Sequence, residues 1–104
     1  MITAEFYKRQ ETLIGFQIKG HADFSKDGND IVCASVSSAV QLVANTITEC
    51  FKVNAKVTVL KDKIQIKLLD YDSNAVKMLE GFLLHLTMIS EDYEGTIKIK
   101  TSEV

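Results

Sequence analysis

Two side chains in the first third of the chain are equipped for nucleophilic chemistry. His21 and Cys33 stand twelve positions apart (33 − 21 = 12). A thiolate is a strong nucleophile at neutral pH, and a nearby imidazole can take its proton and return it to a leaving group. The residues between them are rich in Asp, Asn and Gly and read as a loop over residues 20–30, followed by a helix. Asp30 is placed to cap that helix, its carboxylate accepting from the free N–H groups of the first turn. Cys33 then falls at the third helical position. There the partial positive charge of the helix end favours a thiolate, and a cationic His21 adds to it. The backbone N–H groups of Cys33 and Ala34 are placed to receive a developing oxyanion. One helix end would supply both the nucleophile and part of the transition-state stabilisation.

Each of these residues also has a plain structural reading. A Cys near the start of a buried helix is a small core residue, and a His in a polar loop is solvated. Asp30 either caps the helix or orients His21. Ser37, one turn beyond Cys33, either hydrogen-bonds in a site or bonds back to the helix backbone. Gly20 and Gly28 either hinge a flap over a bound substrate or serve turns. Two candidate ligands are too few for zinc, so no metal site is expected, and no cofactor is implied.

The elements that must hold these residues follow from periodicity. Residues 2–8 alternate, with Ile2, Ala4 and Phe6 on one face, and residues 12–19 alternate with Ile14, Phe16 and Ile18 in step. Arg9-Gln10-Glu11 separates them as a turn. The first helix is expected from Ile31 to Phe51, with Val36, Val40, Val43, Ile47 and Cys50 as its buried stripe. Val57 and Val59, then Ile64, Ile66 and Leu68, form a second hairpin around Lys61-Asp62-Lys63. A second helix is expected from Ser73 to Tyr93, with Ala75, Leu79, Phe82, Leu86, Ile89 and Tyr93 on one face and Gly95 ending it. Ile97 and Ile99 mark a last strand. The order is ββαββαβ, an α+β fold with a mostly antiparallel sheet and two packed helices.

The chain has 104 residues, enough for one domain over 1–104. Its 46% hydrophobic content excludes intrinsic disorder as the main description. Twelve basic against fourteen acidic residues give a net charge of −2, which argues against direct nucleic-acid binding. No membrane span is expected, and the N-terminus lacks the order of a signal peptide. Two cysteines make no disulfide framework, and the expected compartment is the cytoplasm. Cys50 reads as core. His85 reads as a partly exposed helical residue, and Met78 and Met88 as core or interface filler. The acidic residues Glu91, Asp92, Glu94, Asp70 and Asp72 read as a solvated rim, with attraction of a basic tail as the alternative.

Gly20-His21-Ala22, then Gly28-Asn29-Asp30-Ile31-Val32-Cys33-Ala34 and Ser37, resembles the signature of the ribosomal-processing cysteine protease family (Prp family) of Firmicutes and their relatives. That signature is G-H-A, a short variable loop, then G-x-D-I-V-C-A and a serine. The family has about this length, so the resemblance covers nearly the whole chain. It implies a cytosolic cysteine endopeptidase with a Cys–His dyad, an α/β fold and a homodimer. Cys33 corresponds to the family's nucleophile and His21 to its histidine. The implied substrate is the N-terminal extension of ribosomal large-subunit protein twenty-seven, cut after a pair of phenylalanines during ribosome assembly. Two other readings stay open. One is a non-catalytic, ribosome-associated peptide-binding module. The other is a redox thiol, weakened by the absence of C-x-x-C and by the distance of Cys50 along the same helix.

Overall fold

The N-terminal alternation produces two antiparallel strands, β1 (Ile2–Arg9) and β2 (Thr12–Lys19). In this computed structural model residues 1–20 and 29–104 are described, Asn29 and Asp30 by their backbone alone. The turn between the strands is Gln10-Glu11, both with positive φ (52° and 69°), the sense that matches the right-handed twist of a hairpin. The Gln10 N–H donates to Glu103 Oε1 at 2.9 Å, which ties the turn to the far end of the chain.

Ile14 does not stay in step with Phe16 and Ile18. The register pairs Phe6 with Phe16 and Tyr7 with Gly15, then jumps to Lys8 with Leu13. Ile14 is the extra residue of a bulge, so Leu13 takes the buried place and Ile14 is half-buried. Gly15 has its own cause. A Cβ there would stand 2.1 Å from the Ile66 carbonyl oxygen, so only glycine lets the next strand pair.

Three further strands complete the sheet: β3 (Ala55–Leu60), β4 (Lys63–Leu68) and β5 (Ile97–Glu103). The spatial order is β3-β4-β2-β1-β5. All pairings are antiparallel except β1 with β5. Two helices cover one face. They are α1 (Asn29–Asn45), which runs on into a π turn over Thr46–Cys50, and α2 (Ser73–Asp92). The ββαββαβ order and the α+β class expected from periodicity are those observed. Ile2, Ala4, Phe6, Phe16, Ile18, Ile66 and Ile97 meet Val32, Val36, Val40, Val43 and Ile47 of α1 and its π turn, and Ala75, Leu79, Phe82 and Leu86 of α2. At the centre Phe16 and Phe82 pack edge-on with ring centroids 4.7 Å apart, and Phe6 lies 5.7 Å from Phe82.

The first helix departs from expectation at both ends. It opens at Asn29, not Ile31, so Asp30 is inside the helix, not the residue before it, and Cys33 is the fifth helical residue, not the third. At the other end the Phe51 N–H reaches back to the Thr46 carbonyl, a ring one residue wider than an α turn. That widening takes Cys50 off the valine stripe, and Cys50 is exposed, not core. Residues 31–50 are long and apolar enough by composition to cross a membrane, contrary to expectation. The valine stripe of that segment is nevertheless committed to the sheet, as in a core helix.

Asp72 caps α2, accepting from the Ala75 N–H at 2.9 Å. The helix stops at Asp92, so Tyr93 lies beyond it and is 38% exposed, not on the buried face. Gly95, at φ +79°, turns the chain into β5. Met78 is half-buried against the core, Met88 is 55% exposed, and His85 is exposed.

Two substitutions check this packing. Phe82→Ala should lower unfolding free energy by about 3–5 kcal/mol in urea titration. Cys50→Ser should change it by less than about 0.5 kcal/mol, as at other exposed positions, and native protein should react with a maleimide at Cys50 without prior unfolding.

Candidate active site

The rotation of α1 is set by its apolar stripe. Val32, Val36, Val40 and Val43 point into the sheet, so residues one step round the helix lie at the edge of the buried face. Cys33 is such a residue. It is half-buried and packed against the core, and it starts a ridge with Ser37 and Gln41 at intervals of four. This ridge, with Val36 and Val40, walls a groove of about 270 Å³. The floor and far wall come from Ile2, Ile18, Gly20 and the end of the β3–β4 hairpin, Val59 to Ile64. An open, mostly apolar groove beside a thiol is a place where an extended chain can lie with its backbone against a nucleophile.

Helical geometry sets the surroundings of the sulfur. Side chains on an α-helix tilt toward the N-terminus, so the Cys33 side chain leans over the opening turn. A helix that opens at Asn29 leaves the first four N–H groups outside its ladder and commits those of Cys33 and Ala34 to carbonyls four residues back. The Cys33 and Ala34 N–H groups, expected to receive an oxyanion, are therefore engaged within the helix. The side chain of Ala34 also points elsewhere. It lies with Ser35, Ser38, Leu42, Gly81 and His85 along a second groove, between α1 and α2.

Gly20 joins the groove for a reason visible in its backbone. Its φ is +89°, and a Cβ would stand 2.7 Å from the Met1 carbonyl oxygen. Its N–H donates to the Asp62 carbonyl at 3.0 Å, which ties the end of β2 to the β3–β4 turn. The structure thus brings Gly20, Cys33 and Ser37 together. His21, which follows Gly20 in the chain, and Gly28 lie outside the described residues, as does the Asp30 side chain. Neither cysteine is in a disulfide. Among the described residues no cluster of three His, Cys, Asp or Glu side chains could hold a metal.

Sequence reasoning places Val59, Asp62 and Ile64 in a hairpin without bringing them to a groove, and does not name Gln41. The i, i+4, i+8 ridge of Cys33, Ser37 and Gln41 is the signal that could have found the α1 side. Nothing in the sequence brings the β3–β4 turn to that ridge.

A thiol at the opening of a helix, set over an apolar groove on a five-stranded sheet, is the frame of a peptide-cleaving thiol enzyme. The chain belongs to the family of the cysteine protease Prp, whose model matches residues 1–98. The ribosomal processing cysteine protease Prp of Bacillus subtilis is 25% identical over 97 residues, spanning 86% of this chain and 87% of that protein. The S. aureus ribosomal processing protease Prp with a covalently linked product peptide is 25% identical, with TM-score 0.89 over 98% of this chain and 100% of that one. A Streptococcus mutans protein is 26% identical, with TM-score 0.80 over 100% of this chain and 96% of its own. The protein is therefore a cysteine protease of the ribosomal-processing family.

Filling the groove tests its role. Ser37→Trp, on the exposed rim, should lower peptide kcat/KM at least tenfold, about 1.4 kcal/mol, while the thermal midpoint of unfolding stays where it was. An unchanged kcat/KM would place the substrate elsewhere.

Proposed function

We propose that this protein is the endopeptidase that removes the N-terminal extension of ribosomal large-subunit protein twenty-seven, cutting after a pair of phenylalanines during ribosome assembly. One observation supports this most. The family's nucleophile position, Cys33, lies on the wall of a groove whose lining is mostly apolar, as suits aromatic side chains beside a scissile bond.

The proposed mechanism uses His21 and Cys33 as a thiolate–imidazolium pair. The Cys33 sulfur attacks the scissile carbonyl carbon, and N–H groups of the first turn of α1 hold the oxyanion. His21 gives its proton to the leaving amine, and the carbon–nitrogen bond breaks. A water molecule that loses its proton to His21 then hydrolyses the thioester. Asp30, in the first turn, favours the helix end whether or not it also orients His21.

The protein acts in the cytoplasm, in this reading, as a homodimer. Leu42, Leu84 and Met88 are 63%, 61% and 55% exposed on the helices, more apolar surface than helix ends and turns require. This supports association through the helical layer.

The test is cleavage of a peptide carrying the extended N-terminus of the cognate ribosomal protein, read by mass spectrometry. One cut after the phenylalanine pair is expected. Cys33→Ala and His21→Ala should each abolish it while leaving the fold intact. Binding of that peptide without any cut by wild-type protein would establish the peptide-binding module instead.

A further inference from the structure

We propose that the sheet face opposite the helices is a docking surface for the phosphate backbone of double-stranded RNA. The register of the strands carries the proposal. Residues with alternate parity to the core positions share that face. They include Lys19 of β2, Lys56 of β3, Lys63 and Lys67 of β4, and Lys98 and Lys100 of β5. Half of the chain's twelve basic residues are thus on one face. Of its fourteen acidic residues only Glu5 occupies a strand position there, and it accepts from the Ser102 hydroxyl. Asp62 lies in the turn at its edge.

Cross-strand pairing concentrates the charge. Lys19 stands opposite Lys63, and Lys56 opposite Lys67. Like charges in directly opposed positions destabilise a sheet, so this arrangement is costly unless an anion covers it. None of the six makes an ion pair among the described residues. Neighbouring strands are about 4.8 Å apart and alternate residues about 6.8 Å, so the lysines form a grid rather than a single pocket. A grid of point charges suits a repeating polyanion. It also repels a second copy of itself, which disfavours this face as a symmetric dimer contact.

The same face distinguishes between polyanions. Single-stranded nucleic acid is held by exposed aromatic platforms. The aromatic residue here, Tyr7, is 7% exposed, and the Lys67 ammonium sits 4.9 Å from its ring centroid. Among the described residues no ring on this face is free to stack on a base. Lysine without arginine gives phosphate contact without base readout. This fits a duplex recognised by backbone and shape. The choice of RNA among polyanions rests on the ribosome-processing reading; the charge pattern stands without it. Charge segregation of this kind is invisible in a net charge of −2.

The experiment measures full-length protein against a labelled RNA duplex of about 16 base pairs by fluorescence anisotropy, at roughly 50 and 200 mM salt. Free-peptide cleavage is measured in parallel. Wild type should bind, and affinity should fall steeply with salt. The variant K19Q/K98Q/K100Q should bind at least tenfold more weakly, with a salt slope shallower by about 0.9 for each phosphate it no longer neutralises. The off-face variant K8Q/K52Q/K77Q has the same net charge and should bind less than about twofold more weakly. Equal weakening in both variants, no duplex binding at the lower salt, or equal or tighter binding of single-stranded RNA, an acidic peptide or anionic vesicles would each overturn the proposal. Unchanged peptide cleavage in both variants separates failure of this surface from failure of the protease reading.

Discussion

The valine stripe of α1 governs where the chemistry can occur. Val32, Val36, Val40 and Val43 are all buried against the sheet, and Ile47 continues the line into the π turn. Each such side chain contributes on the order of 1.5–3 kcal/mol when removed from water. Together they leave the helix one rotational setting. Cys33 is neighbour to Val32 in sequence and to Val36 and Ser37 on the helix surface. The setting that buries the valines therefore puts the thiol at the edge of the core. It is held by packing on one side and opens to the groove on the other. A helix turned by one residue would bury the thiol or expose it on the outer layer.

The irregular features serve the same end of the sheet. Gly20 approaches the Met1 carbonyl too closely for any side chain and bonds to the β3–β4 turn. The residue that leads into His21 is thereby anchored to the hairpin that forms the far wall of the groove. Gly15 permits the close β2–β4 pairing beneath it, and the bulge at Ile14 brings Leu13 inward where strict alternation would have turned it away. The π turn has the opposite consequence. It releases Cys50 from the core and leaves two thiols of different character on one helical segment, Cys33 in a groove and Cys50 in solvent.

The two sides of the sheet divide the work. The covered side carries the hydrophobic core and, at one end, the groove with Cys33. The other side carries a hydrogen-bonded row in which Gln65 donates to the Tyr7 hydroxyl at 2.9 Å, set among the lysines. The period of two in a strand makes this separation automatic once one face is apolar. A substrate that is both a peptide and part of an RNA-bearing particle would meet each chemistry on a different surface.

Much of this was legible in the sequence. Alternation and helical stripes identified the five strands, the two helices and their order, because each must bury one face and its apolar residues record which. The G-H-A and G-x-D-I-V-C-A blocks pointed to the family, because a thiol at a helix opening needs a restricted set of neighbours. What periodicity misses has local physical causes. A bulge and a widened helical turn each shift the phase by one residue without altering composition, so alternation and stripe misplace Ile14 and Cys50. Helix starts are set by backbone hydrogen bonds, so Asp30 and Cys33 lie two places deeper. The sequence by itself determined the strands and helices, most of their buried faces and the family, since these depend on residues near one another in the chain. Only the tertiary structure decided that the β3–β4 turn closes the groove opposite Cys33 and that six scattered lysines share one face. Both depend on strand order and register, which are set by pairing between segments far apart in sequence.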